Sequence, residues 1–301
     1  MQQNLIFALP SMVAFVILMA VEWLSYRLDP DNRGRPRHGF SGRDTATSLS
    51  IFALGRITKP IMAAAAPLGF LALAAWITPL HLSSHEWWVW VAAFVMVDLC
   101  YYWAHRADHR IRLMWTAHSV HHSSEYFNLS TAVRLPWLTP ASLIRPLWFA
   151  PAVLLGFPVW MVLLTQSLNL LYQFPIHTER VGRLPRPIEF VFNTPSHHRV
   201  HHGSNNPYLD KNYAGVFILW DRMFGSYAEE LEPVRFGLTT NIETYNPLKA
   251  NYIELAAMLR DVHRAHTWRG RIGYLLAPPG FHEDKDATSP ADSGHNRILT
   301  S

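Results

Sequence analysis

The 301-residue sequence predicts an all-α protein, an integral membrane bundle of about four to five spans or half-spans carrying a histidine-rich cap. Three observations lead there. Half the residues are hydrophobic and only 16% are charged, against about 25% in a typical soluble domain; the apolar residues fall in long runs. Ten of the 17 histidines lie between positions 105 and 202, in clusters with helical spacing. An arginine-rich stretch separates the first two apolar regions, which is the charge pattern of a cytoplasmic loop.

In chain order, residues 4–24 are apolar over the ~20 residues that a spanning helix needs. They lack a basic leading region and a small-residue cleavage site, so an anchor is expected rather than a removed signal. Arg27, Arg33, Arg35, Arg37 and Arg43 follow in a polar loop, placing it on the cytoplasmic side. The next apolar region, 49–79, is interrupted by Arg56 and Lys59, so the span is expected over 60–79 behind an interfacial helix. A connection from His81 to Glu86 leads into the Trp- and Val-rich stretch 87–104, which returns the chain to the cytoplasmic side and delivers His105 there. The aromatics Trp87, Trp88, Trp90, Tyr101, Tyr102 and Trp103 fit an interfacial belt.

Residues 138–174 are again apolar but broken by Gly156-Phe157-Pro158, which predicts a hairpin whose ends return to one face. Co-ligation by His122 and His177, on either side of this stretch, requires that hairpin. Beyond Pro195 the chain is polar, Ile272–Pro279 is too short to span, and 281–301 reads as a disordered polar tail. One domain is expected over 1–280, with a histidine-box core at 87–250. The single Cys100 excludes a disulfide framework and a cysteine metal site, and is expected as a buried thiol. The net charge of +4 comes mostly from arginines beside apolar runs, and no basic run interleaved with exposed aromatics points to nucleic acid.

The chemistry lies in the histidines. Neutral imidazole is the commonest protein metal ligand, and residues i, i+3 and i+4 share a helix face. His105 and His109 therefore point together, as do His118, His121 and His122, and His198, His201 and His202. A metal takes three or four protein ligands, so this set suffices for two. Imidazole suits Fe, Zn, Cu and Ni alike, so ligand type selects no metal. Partners for the outer ring nitrogens are sought in Asp98, Glu125, Asn128, Asn193 and Asp221, with Asp108, Glu179, Asp210 and Asn212 also nearby in sequence. Asp98, two turns before His105, would be expensive in lipid unless paired inside the bundle. Arg134 is expected to meet a head group or a carboxylate. His81, His85, His263, His266, His282 and His295 fall outside the clusters.

The boxes H-x3-H, H-x2-H-H and H-x2-H-H, with the segments YYWAHRADH, AHSVHHSSEYFNLSTAVR and FNTPSHHRVHHGSNNPYLDKNYAGVFILWDRMFGSY, resemble the membrane fatty acid hydroxylase and sterol desaturase superfamily over residues 87–250. Within it the chain looks most like the members that cleave glyceryl ethers. The resemblance implies two non-haem irons held by His105, His109, His118, His121, His122, His177, His198, His201 and His202, with His197 ligating or supporting the last box. Gln173 stands where related hydroxylases carry a further histidine, and Arg110 where the ether-cleaving members carry an acidic residue.

The expected activity is O2-dependent hydroxylation of a lipid alkyl or acyl chain, with no catalytic group beyond the metal centre. The substrate would enter from the bilayer and the active site would face the cytoplasm. Hydroxylation beside an ether oxygen gives a hemiacetal that collapses to an aldehyde and glycerol. Two electrons must come from outside, from a redox protein or a reduced pterin, because the chain has no CxxC, haem-attachment or dinucleotide motif. The rival within the class is a sterol or carotenoid desaturase/hydroxylase. The rival outside it, a membrane metal-binding or transport protein, predicts ionisable residues lining a path through several spans, whereas here the histidines cluster at span ends.

Overall fold

The protein, described here from a computed structural model, is defined over residues 2–28, 39–63 and 67–283. Arg33, Arg35 and Arg37 of the arginine loop lie outside the described residues, as does the tail from 284 onward. Among the described residues every element is helical, apart from an isolated bridge between Phe192 and Phe217.

The apolar stretch 4–24 lies within α1 (Gln2–Leu28). In the second region, where a span is expected over 60–79, the described residues form α2 (Gly42–Ala63) and α3 (Pro67–Ile77), and residues 64–66 between them lie outside the described residues. At 1.5 Å per residue, the 11 residues of α3 reach about 16 Å, roughly half a ~30 Å hydrocarbon core. Pro79 cannot continue a helix, which accounts for the end of α3 at Ile77.

Helix α4 (Trp87–Arg110) runs six residues past the expected end, so its last two turns carry the first histidine box. Among the described residues it is the one helix long and apolar enough to cross a membrane, or one of two if the bent pair below counts as a span. Ile111, extended at φ −120° and ψ 116°, ends it, and α5 (Arg112–His122) starts afresh with the second box. The aromatic belt is only partly realised. Trp87 and Trp88 are exposed, but Tyr101 and Tyr102 are buried because their hydroxyls find internal partners: Tyr101 donates to Gln173 Oε1 at 2.9 Å, and Tyr102 lies 2.8 Å from Ser226 Oγ.

After the one-turn α6 (Leu129–Ala132), the predicted hairpin is present. Its first arm is α7 (Pro140–Ile144), a 3₁₀ turn (Arg145–Phe149) and α8 (Ala150–Leu154); its second is α9 (Val159–Gln173), bent from the first by 119°. Gly156 makes the bend, at φ +95°. A Cβ there would lie 2.9 Å from the Leu80 carbonyl carbon, so only glycine permits the approach that lets Leu82 N–H donate to Gly156 O at 2.9 Å.

Helices α3, α4, α8 and α9 share the main core, built on Leu71, Val89, Ala93, Val97, Val153 and Met161. Their outward faces remain apolar and exposed, at Trp76, Val91, Leu164, Leu168 and Leu171 among others. Five further helices follow: α10 (Arg186–Val191), α11 (Pro195–His201) with the third box, α12 (Leu219–Phe224), α13 (Pro247–Arg264) and α14 (Trp268–Leu276). Cys100 is buried in the main core, as expected.

Candidate metal centre

Three helix segments and one turn converge. The C-terminal turns of α4 bring His105 and His109, α5 brings His118, His121 and His122, and α11 with its C-cap brings His198, His201 and His202. His177 enters from the turn after α9. They assemble as two groups: His105, His109, His118, His122 and His201, and His121, His177, His198 and His202. Within each group the ligand atoms lie within 4.8 Å of one another. The groups abut, with His122 stacked on His202 at 4.3 Å between centroids.

The boxes are thus divided differently from the shared faces expected. On α5, His118 and His122 go to one group and His121 to the other; on α11, His198 and His202 go to one and His201 to the other. The i,i+4 pair stays together, while the residue between them is turned by ~100° from its neighbour. Each of these two segments therefore serves both groups.

The hydrogen-bond pattern shows what the groups are built for. His105 Nδ1–H donates to Tyr213 O at 2.8 Å, His177 Nδ1–H to Gln173 O at 2.7 Å, and His201 Nδ1–H to Lys211 O at 3.1 Å. A neutral imidazole donating from Nδ1 presents a lone pair at Nε2, and those lone pairs face inward. His105 Nε2 lies 2.9 Å from His118 Nε2, which lies 3.0 Å from His122 Nε2; His177 Nε2 lies 3.2 Å from His121 Nε2 and 2.9 Å from His198 Nε2. Five more buried ring nitrogens have no partner: His109 Nε2, His121 Nδ1, His198 Nδ1, His201 Nε2 and His202 Nε2. Converging, unpartnered lone pairs are costly in a dry interior. A cation relieves that cost. Two nitrogens each about 2.1 Å from one ion sit about 3.0–3.4 Å apart, close to the separations seen.

Burial and then the neighbouring imidazoles hold His118, His122, His198 and His202 well below the usual histidine range; burial takes His177 down to about 4. They stay neutral near pH 7, as ligands must.

The structure places His197 in neither group. Its Nε2–H donates to Glu189 Oε2 at 3.1 Å, and its Nδ1 accepts the Thr194 N–H at 3.4 Å, so both nitrogens are committed outside the cluster. Gln173 is turned away as well. Its side chain accepts from Tyr101 and donates to Asn169 Oδ1 at 2.6 Å, and only its backbone carbonyl serves His177.

Of the proposed outer partners, Asp221 acts through backbone. It accepts the N–H groups of Tyr213 and Ala214, both at 2.8 Å, and so fixes the carbonyl that holds His105; burial raises its carboxyl to about 6. Asp98 accepts from Val216 N, Phe217 N, Trp220 Nε1 and Asn169 Nδ2, tying the 212–220 segment to α4. Asn193 donates to Ala214 O at 2.7 Å. Asn128 caps α6 and donates to Gly39 O at 3.1 Å, while Glu125 stands exposed; neither orients an imidazole.

Asp210 takes the role that neighbours in sequence do not. It lies 3.7 Å from His109 Nδ1 and accepts from Arg110 Nη1 at 2.9 Å, so Arg110 carries the carboxylate to the site from another segment. Arg134 meets a carboxylate, one of the two partners expected of it, and Asp44 is the partner that the sequence did not name. Arg134, 1% exposed, meets Asp44 Oδ1 at 3.0 Å and donates from Nε to Val120 O at 3.1 Å, locking the last turn of α5.

Residues 90–226 match the family model for fatty acid hydroxylase. The chain is 35% identical over 282 residues to human alkylglycerol monooxygenase, covering 92% of this chain and 60% of that protein. It is 44% identical over 242 residues to the alkylglycerol monooxygenase of Danio rerio, covering 80% and 53%. It is 27% identical over 237 residues to the ornithine lipid hydroxylase OlsE of Rhizobium tropici, covering 73% and 68%. The chain spans about half the length of the alkylglycerol monooxygenases it matches. No solved structure gives a significant match.

Proposed function

From the match of residues 90–226 to the fatty acid hydroxylase family model, we propose a membrane-bound di-iron monooxygenase that hydroxylates a lipid chain, with a glyceryl ether as substrate. The observation that carries the reading is the pair of abutting histidine groups, five imidazoles beside four, at the end of the apolar helix α4. One iron would be held by His105, His109, His118, His122 and His201, the other by His121, His177, His198 and His202. Zinc, which has no redox chemistry and usually takes four ligands, would leave much of this set idle. Bound iron supplies the activation of O2 that inserts one oxygen atom into a C–H bond, with two electrons from a redox protein or a reduced pterin.

The protein's own part is positioning. The carbonyls of Tyr213, Lys211 and Gln173 fix three imidazoles as Nε2 ligands, which preorganises the centre before substrate arrives. The rings are buried, which would keep bulk water from a carbon held beside them. The exposed apolar faces of α3, α4 and α9 would lie against lipid, and residues 4–24 would add an anchor, giving one oxygenase domain over 1–280 with its site on the cytoplasmic side of the arginine loop. An alkyl chain then reaches the site from the bilayer without crossing water. Once the carbon beside an ether oxygen is hydroxylated, the hemiacetal expels glycerol by itself, and no protein nucleophile is needed. The alkylglycerol monooxygenase relatives favour this substrate over a sterol or carotenoid.

The test is metal content and ¹⁸O incorporation together. Detergent-purified protein is expected to hold two irons per chain, and the His121→Ala/His201→Ala protein none. With a reductant and ¹⁸O2, a 1-O-alkylglycerol is expected to yield a labelled aldehyde, trapped by reduction to the alcohol. Iron-loaded protein that labels no ether lipid, acyl lipid or sterol would refute the proposal.

A further inference from the structure

Helix α14 has nine residues, and its exposed large side chains are Trp268 (74%), Ile272 (53%) and Leu276 (56%). They recur at i, i+4 and i+8 and form one stripe along the helix. Arg269, exposed, lies on the same side, and Arg271 is stacked 4.8 Å over the Trp268 ring; Arg264 stands exposed at the end of α13. The opposite side is filled. Gly270 is buried beside Glu283, which caps the helix start through His266 N and Thr267 N, and Phe281 packs on Tyr274 at 5.3 Å.

The position of α14 is set by Arg112, the first residue of α5 and two residues beyond the end of α4. Its N–H donates to Ala277 O at 3.0 Å, its guanidinium lies 5.8 Å from the Tyr274 ring, and it pairs with Glu254 at 3.2 Å and Asp261 at 2.7 Å on α13. Next to it, Ile111 packs against the Met114–Ala117–Ala141 cluster, which Ile144 and Trp148 of the apolar hairpin also cover. The stripe therefore sits at the height where α4 and the hairpin end. An apolar stripe with tryptophan at one end and flanking arginines is the pattern of a helix lying in the plane of a bilayer surface.

We infer that α14 is a membrane-surface helix, its Trp268/Ile272/Leu276 face sunk among lipid head groups and its arginines held by anionic phospholipid. The inference rests on the reading of α4 as a span. Through Arg112, α14 then moors α5, which carries three of the candidate ligands, to the surface of the bilayer that supplies the substrate.

Cys100 is the sole cysteine and is buried, so a cysteine introduced at the surface is a unique spin-label site. Full-length Ile272→Cys, Val91→Cys (lipid-facing in α4) and Glu232→Cys (exposed on the cap) are labelled and placed in nanodiscs of phosphatidylcholine, or of equimolar phosphatidylcholine and phosphatidylglycerol. Collision with O2 and with a water-soluble nickel chelate is then compared. Position 272 is expected to give an O2-to-nickel ratio several-fold above position 232 and to approach position 91. That ratio should rise with phosphatidylglycerol and lose the rise in Arg269→Glu/Arg271→Glu. If 91 reports lipid while 272 reports water, or is shielded from both probes by protein, the inference fails alone. If 91 itself reports water, the span reading fails and takes the inference with it. A ratio at 272 indifferent to phosphatidylglycerol overturns the anionic-lipid half.

Discussion

Replacing Arg134 with methionine leaves the Asp44 carboxylate buried without its counter-charge. Arg134 and Asp44 are both buried, 3.0 Å apart, and Asp44 keeps only the Ser124 hydroxyl, at 2.6 Å, as a side-chain donor. Breaking a buried pair from one side costs about 3–5 kcal/mol because the remaining charge stays desolvated. The loss also strips the Val120 carbonyl and Ser123 hydroxyl of the Nε–H they share, at the turn that aims His121 and His122. Thermal unfolding in detergent, at roughly 2–4 °C per kcal/mol for a chain of a few hundred residues, should show a midpoint lowered by roughly 6–20 °C. Asp44→Ala should cost a similar amount. The double variant should fall short of the sum by about 2 kcal/mol, since neither charge is then left alone. Additive single effects, or an Arg134→Met midpoint within about 2 °C of wild type, would show that the pair is solvated or unimportant.

Other consequences follow from the same geometry. In Asp98→Asn, one of two oxygens that each accept two N–H groups becomes a donor facing donors, costing about 3–6 kcal/mol; a melting point within error of wild type would contradict the four-donor arrangement. Asp210→Asn should weaken iron binding about 10–100-fold by freeing the His109 ring, measured by competition with a chelator, and unchanged affinity would remove Asp210 from the site. Metal-free protein should lose stability on acidification. The folded histidines hold pKa values below the unfolded 6.5, so the unfolded chain binds more protons and stability falls as pH drops from about 6.5; His177, at about 4, contributes about 3 kcal/mol once pH reaches its folded value. Denaturant midpoints that stay flat between pH 7 and 4 would mean that these rings are not buried neutral.

Much of the site is written in the chain because helix periodicity is local. His105 and His109 point together whatever surrounds them, and so do His118 and His122. The hairpin was legible for a related reason: Gly156 and Pro158 bar a straight helix, and the structure bends by 119° there. The end of α4 was not legible from hydropathy, which follows the apolar run to about residue 104 without registering that the polar turns carrying His105 and His109 continue the same helix to Arg110.

What local pattern cannot specify is which histidine faces which, because that depends on how α4, α5 and α11 cross. The division of His118 and His122 from His121, and of His201 from His198 and His202, appears only when three helices meet. The same packing turns His197 to Glu189 and Gln173 to Tyr101, and it brings Asp210 to His109 and Asp44 to Arg134 from distant parts of the chain. The sequence by itself determined the chemistry on offer, nine imidazoles in helically spaced boxes and a lone His177, beside an apolar run. The tertiary structure decided which nine converge, because the crossing of α4, α5 and α11 buries these rings together, and the carbonyls of Tyr213, Gln173 and Lys211 hold the outer nitrogens of three of them.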